Sequence, residues 1–355
     1  MRSLWTLLSQ PDESQLNARI PLLPVEILRA GHLLLASELP LATTVDGKAV
    51  GAWDGVVLND LQAAEPLVGR GAPIVDGASL VVHAVGWSGL AGLGALRWHG
   101  TLAVVHQAQR TAILARDWQG VGGLYFAADG AGVAFSNDCE GILRAGLQPR
   151  LVPPGMVAIC APTGVRWQPI PTAADGRAWF RDLPDELSAP TPDIWHAGLF
   201  ERLRMAIAAC KRVYPTIAME TPSDAAGQWL AVNFPTQHDL PPDALWALDG
   251  ADAWLGRSPA LPLDVLPGPW PLPEPPEPLR VDDREALARR VRATWLPDVA
   301  LERTRVKAHR LNLPIVAPHL DPAVLAWLGA MPPVLRPNSP RTLPVDSDSG
   351  GTSRS

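Results

Sequence analysis

The chain has 355 residues, 19% of them charged, with a formal net charge of -6. That length predicts about two domains, each able to bury a core. The acidic balance excludes the electrostatic footprint of a nucleic-acid or anionic-membrane partner; the basic residues between Arg280 and Arg310 are interrupted by Asp and Glu, as on a solvated helical face.

Residues 1–175 read as β-rich. Short apolar runs alternate with turn residues: LVVHAV at 80–85, LAVVHQ at 102–107, TAILARD at 111–117, LYFAAD at 124–129, VAFSND at 133–138 and MVAICA at 156–161. The spacing, with turn signals such as Asp129-Gly130, predicts antiparallel hairpins. Helices fit residues 79–90, across the first of those runs, and 138–145. From 192 the pattern changes. WHAGLFERLRMAIAACKRV at 195–213 has helical apolar spacing. YPTIAM then reads as a strand, AAGQWLAV as a helix and LWAL as a short buried strand. Proline recurs through 257–279, which excludes helix and central strand and predicts a strap. Residues 282–296, 297–312 and 321–331 read as helices, and 337–355 as a polar, disordered tail. The expected domains are thus 1–175 and 192–336.

The three cysteines, Cys139, Cys160 and Cys210, are odd in number and widely spaced, which argues against a disulfide framework or a metal knuckle. None of the eight histidines forms a pair at i, i+4, so no metal site is expected. Residues 1–11 lack the apolar core of a signal peptide. No apolar stretch is expected to reach the roughly 20 residues of a membrane helix. These readings predict a cytoplasmic protein.

Several of these segments resemble the asparagine synthetase family, which includes β-lactam synthetases and lasso-peptide cyclases. RWHGTLAVV at 97–105, LARDWQGVGGLYF at 114–126, AFSNDCEGIL at 134–143 and VPPGMVAI at 152–159 occur in that family's order and at similar spacing. ALDGADAWLG at 247–256 and the segment 296–336 are similar to its C-terminal motifs. The resemblance implies an α+β fold. A class II glutaminase-like antiparallel sandwich would be followed by a shortened α/β ATP-pyrophosphatase-like domain.

The resemblance also shows what is altered. The family's glutaminases use an N-terminal cysteine as nucleophile; this chain reads Met1-Arg2-Ser3-Leu4, and its first cysteine, Cys139, is expected as a small core residue. The family's substrate-binding Asn-Gly pair reads Asp54-Gly55, expected as a turn or a remnant amide contact. Its pyrophosphate loop, SGGxDS, falls in one of two registers, on ETPSDA at 220–225 or TPSDAA at 221–226. Both glycines are gone, Pro222 removes an N–H, and Glu220 and Asp224 add negative charge where an anion should sit. Asp224, Asp249 and Asp252 would be the remnant Mg²⁺-ATP site, with a helix cap as the plainer role of Asp252. The short step from Asp224 to Asp249 removes sheet, and no lysine stands in the family's C-terminal context.

Together these losses predict a degenerate, asparagine-synthetase-like binding or assembly component of peptide-modifying, amide-bond-forming biosynthesis. It would need no cofactor, and its partner would be a peptide or an intact homologous enzyme. The alternative is an active ATP-dependent amide ligase or lasso-type cyclase that uses Mg²⁺ and ATP.

Overall fold

The apolar runs of the N-terminal half form two sheets that share a core, with most central strands buried on both faces. The computed structural model describes residues 5–9, 26–129, 132–144, 146–171, 191–222, 224–235, 241–248, 301–331 and 335. The first sheet contains β1 (Trp5–Ser9), β2 (Glu26–Ala30), β3 (Leu33–Ser37), β8 (Tyr125–Asp129), β9 (Gly132–Ser136) and β10 (Arg150–Leu151), in the order β10-β8-β9-β1-β3-β2. The second contains β4 (Ala42–Thr43), β5 (Ala49–Val57), β6 (Trp98–His106), β7 (Thr111–Arg116), β11 (Met156–Ala161) and β12 (Gly164–Pro169), in the order β12-β11-β7-β6-β5-β4. All pairings in both sheets are antiparallel.

Side chains alternate between two cores because strand neighbours point to opposite faces. Leu33, Leu35, Ala103, Val105, Leu114 and Phe135 fill the space between the sheets. Trp53, Val57, Leu102 and Val104 face the other way, onto α2 (Gly77–Ala95) and α1 (Asp60–Val68). On the far side of the first sheet, α3 (Cys139–Arg144) covers Tyr125, Ala127 and Leu151 through Ile142. The expected sandwich is present, as are both expected helices.

Two expectations need correction here. The run at 80–85 is entirely helical, because α2 starts at a reciprocal capping box between Asp76 and Ser79. Gly77–Ala95 is also long and apolar enough, by length and composition, to cross a membrane, against the expectation that no stretch reaches this limit, but Gly89 (φ 57°, ψ -139°) kinks it into two shorter helices. A helix packed between a sheet and α1 is apolar over most of its surface for the same reason that a spanning helix is. Some 56% of its most apolar window is buried within the fold.

The C-terminal region opens with α4 (Pro192–Val213), which is capped by Thr191 and has Pro192 in its first turn. Three short strands, β13 (Ile217–Met219), β14 (Ala244–Trp246) and β15 (Ile315–Val316), form a parallel sheet in that order. α5 (Ala225–Asn233) follows β13, α6 (Leu301–Arg310) precedes β15, and α7 (Pro322–Ala330) follows it. Gly198 lets α4 meet Trp327 of α7; a Cβ there would lie 2.2 Å from the indole. The core of this region takes in Val56, Leu58 and Val121 from the sandwich, so the two regions pack directly together. The strap at 257–279, the helix expected at 282–296 and the tail lie outside the described residues.

Candidate functional site

Asp54 and Gly55 lie inside β5 rather than in a turn, which corrects the simpler expectation for them. Gly55 pairs with Gly100 across the β5–β6 ladder. The backbones approach so closely that a Cβ on Gly55 would sit 2.0 Å from the His99 carbonyl oxygen, and one on Gly100 2.1 Å from that of Asp54. Gly122 closes on the same point, where an added Cβ would lie 2.3 Å from the Gly100 carbonyl carbon. Only glycine tolerates this contact. The chain therefore continues as strand and leaves room beside it.

That room is a cavity of about 350 Å³ between the edge of the sandwich and α6. Asp54, Asn137 and Cys139 line it from the sandwich, and Glu302 and Arg305 from α6. The Asn137 amide donates to the Asp54 carboxylate at 3.0 Å. The register Thr6↔Ser136 brings the first residues of β1 alongside the Ser136–Asn137 corner.

The Arg-Asp of LARDWQG builds the third wall. The Asp117 carboxylate, fully buried, accepts from the backbone N–H groups of Gly100, Gln119, Val121 and Gly122 at 2.8–3.1 Å. Arg116, equally buried, donates to the carbonyls of Gly120, Gly122 and Val152. These charges shape a loop and do not face a substrate. Across the cavity, the Tyr125 hydroxyl donates to both Glu302 oxygens at 2.9 and 3.0 Å, and Arg305 bonds Glu302 at 2.9 Å and the Gly120 carbonyl at 3.0 Å. Burial pushes the Tyr125 phenol well above its ordinary range.

Cys139 is half-buried: it packs against the small core under α3, as expected, and also lines the cavity. Burial, reinforced by the carboxylates of Asp138, Glu302 and Glu140, raises its thiol above the ordinary cysteine value. A thiol held protonated is a poor nucleophile. The cavity can thus bind polar groups, but it does not activate its cysteine.

The second predicted site lies at the C-terminal end of β13. Asp224 is the N-cap of α5, accepting from Gly227 N–H at 2.7 Å. Gly227 in turn lies close to Leu248, the residue before Asp249. The N-terminus of α5 therefore lies beside the residues that follow β14. Asp249 and Asp252 themselves lie outside the described residues. Sequence reasoning treated Glu220 only as misplaced charge. Its carboxylate is buried and accepts from Thr304 Oγ1 at 2.9 Å, from Leu248 N–H at 3.3 Å and from Lys307 Nζ. α6 thus serves both sites, with Glu302 and Arg305 toward the cavity and Thr304 and Lys307 toward Glu220.

A third cluster joins the regions. Arg97 reaches the buried carboxylate of Asp321 at 3.3 Å. His99, 2% exposed, has neither ring nitrogen hydrogen-bonded among the described residues. His319 accepts from the Trp246 indole N–H at 3.2 Å, and burial lowers its pKa to about 3, with His99 contributing. Burial raises the Asp321 carboxyl, against the pull of Arg97.

No family model matches the chain, and no curated protein matches it. Among solved structures, the chain is similar to a glutamine phosphoribosylpyrophosphate amidotransferase from B. subtilis, complexed with ADP and GMP, at 12% identity and a TM-score of 0.38 over 48% of this chain and 49% of that one. It is also similar to a structure described as the allosteric regulatory enzyme of purine biosynthesis, at 13% identity and a TM-score of 0.37 over 48% of this chain and 43% of that one. A glutamine aminotransferase class-II domain protein from Silicibacter pomeroyi is similar at 11% identity and a TM-score of 0.34, over 48% of this chain and 99% of that one. The chain spans about half the length of the first and less of the second.

Proposed function

We propose that this chain is an asparagine-synthetase-like binding or assembly component of peptide-modifying, amide-bond-forming biosynthesis that does not catalyse on its own. Its ligand, a peptide presenting a carboxamide, occupies the cavity between the sandwich and α6. The observation that carries this reading is the cavity wall. Close-packed glycines bring its strands together, the paired Asp54 and Asn137 present a carboxylate and an amide to the space, and the lining thiol of Cys139 is held protonated. The motifs at 97–159 and 247–336 support the family assignment within this proposal. Three free thiols, two of them buried, support a reducing, cytoplasmic setting.

Two titrations of the purified full chain test the reading. Peptides containing Gln or Asn should give saturable heat that Asp54→Ala weakens. Mg²⁺-ATP should give none up to millimolar concentration. Saturable Mg²⁺-ATP binding that is lost in Asp224→Ala and Asp249→Ala would instead support the ATP-dependent amide ligase.

A further inference from the structure

The carboxylate of Glu220 is held as a bound phosphate oxygen would be held. Three donors of different kinds converge on it: a hydroxyl from Thr304, a backbone N–H from Leu248 and an ammonium from Lys307. They come from two separate elements, α6 and the end of β14, and meet beside the N-terminus of α5. The Glu220 side chain is 5% exposed and that of Lys307 58%, so the cluster is closed by the carboxylate and open to solvent on the ammonium side. A hydroxyl, an amide N–H and an ammonium are the usual ligands of a phosphoryl oxygen.

We infer that Glu220 is a built-in replacement anion: Lys307, Thr304 and the Leu248 N–H form a cradle for a phosphate-class oxyanion, and the chain's own carboxylate fills it. Glu220 lies at the end of a strand and its carboxylate cannot leave without unpairing three donors, so a free oxyanion does not displace it. Removing the carboxylate while keeping the donors uncovers the cradle. The inference concerns a different site from the peptide cavity, and the two can fail separately.

The test titrates inorganic phosphate and then pyrophosphate into the full-length wild-type chain, Glu220→Ala, and Glu220→Ala combined with Lys307→Ala. Binding is read by calorimetry and by the shift in thermal midpoint. The wild type should show no saturable binding at millimolar anion. Glu220→Ala should bind saturably and gain thermal midpoint with added phosphate, and the double variant should lose at least tenfold in affinity. If Glu220→Ala does not fold in anion-free buffer, refolding in phosphate becomes the readout, and rescue supports the inference. Four results overturn it: saturable phosphate binding by the wild type, no binding by folded Glu220→Ala, no rescue of unfolded Glu220→Ala, or binding that Lys307→Ala leaves unchanged.

Discussion

The two faces of α6 solve opposite problems with similar residues. Toward the sandwich, Glu302 and Arg305 pair with each other and with Tyr125 and Gly120, leaving a cavity between the walls. Toward β13, Thr304 and Lys307 converge on Glu220. On the first face the cavity wall is close-packed backbone: Gly55, Gly100 and Gly122 meet so tightly that no side chain fits between them. What fills the second is a single glutamate, whose carboxylate takes up a hydroxyl, a backbone N–H and an ammonium. A space in a protein is thus bounded by the atoms beside it, and one side chain can fill it.

The sharpest way to break the comparison is to remove what shapes the open side. Asp117→Ala strands four buried N–H groups on one loop and should cost about 4 kcal/mol or more of stability, measured by urea unfolding. A cost below about 1 kcal/mol would mean that the loop does not depend on this carboxylate.

Acid should act next. The unfolded chain protonates His319 near its ordinary value of 6.5, while the folded chain resists until about pH 3. Stability should therefore fall as pH drops below 6.5, by at most roughly 5 kcal/mol. Asp321 works the other way: its raised carboxyl means that stability is lost as pH rises above 3.8, which partly offsets the His319 slope. Denaturation midpoints across this window, compared with those of His319→Asn, should show a flatter acid limb in the variant. Equal slopes would sink the assignment.

Gly100→Ala forces a Cβ to 2.1 Å from the Asp54 carbonyl oxygen, and we expect a cost of about 3 kcal/mol. The strands must part to admit it, so amide binding in the cavity should weaken as well. The smallest effect belongs to the exposed pair between Arg212 and Asp60, which also bridges the two regions. Arg212→Ala should change stability by less than about 1 kcal/mol.

Local pattern carried much of the fold. Apolar runs punctuated by turn residues over 102–161 mark the sandwich strands, and the apolar spacing of 195–213 marks α4, because such features depend on near neighbours. β1 to β5 were not singled out, since their short Ala- and Leu-rich runs have weak alternation and are defined by pairing with distant strands. The candidate site was legible in part. Asp54 and Gly55 are legible as a pair, whereas Tyr125, Asn137, Glu302 and Arg305 lie inside the family-like segments with nothing local that marks them as cavity residues.

By itself the sequence determined the sandwich strands over 102–161 and the helix over 195–213, because apolar runs, turn residues and helical spacing act on near neighbours. Only the tertiary structure decided that Asp117 serves a loop and Cys139 lines a cavity. It also decided that Glu220 is neutralised by α6, some 80 residues further along the chain. The physical reason is the same in each case. A charge or thiol has no fixed role until long-range packing sets its burial and its partners.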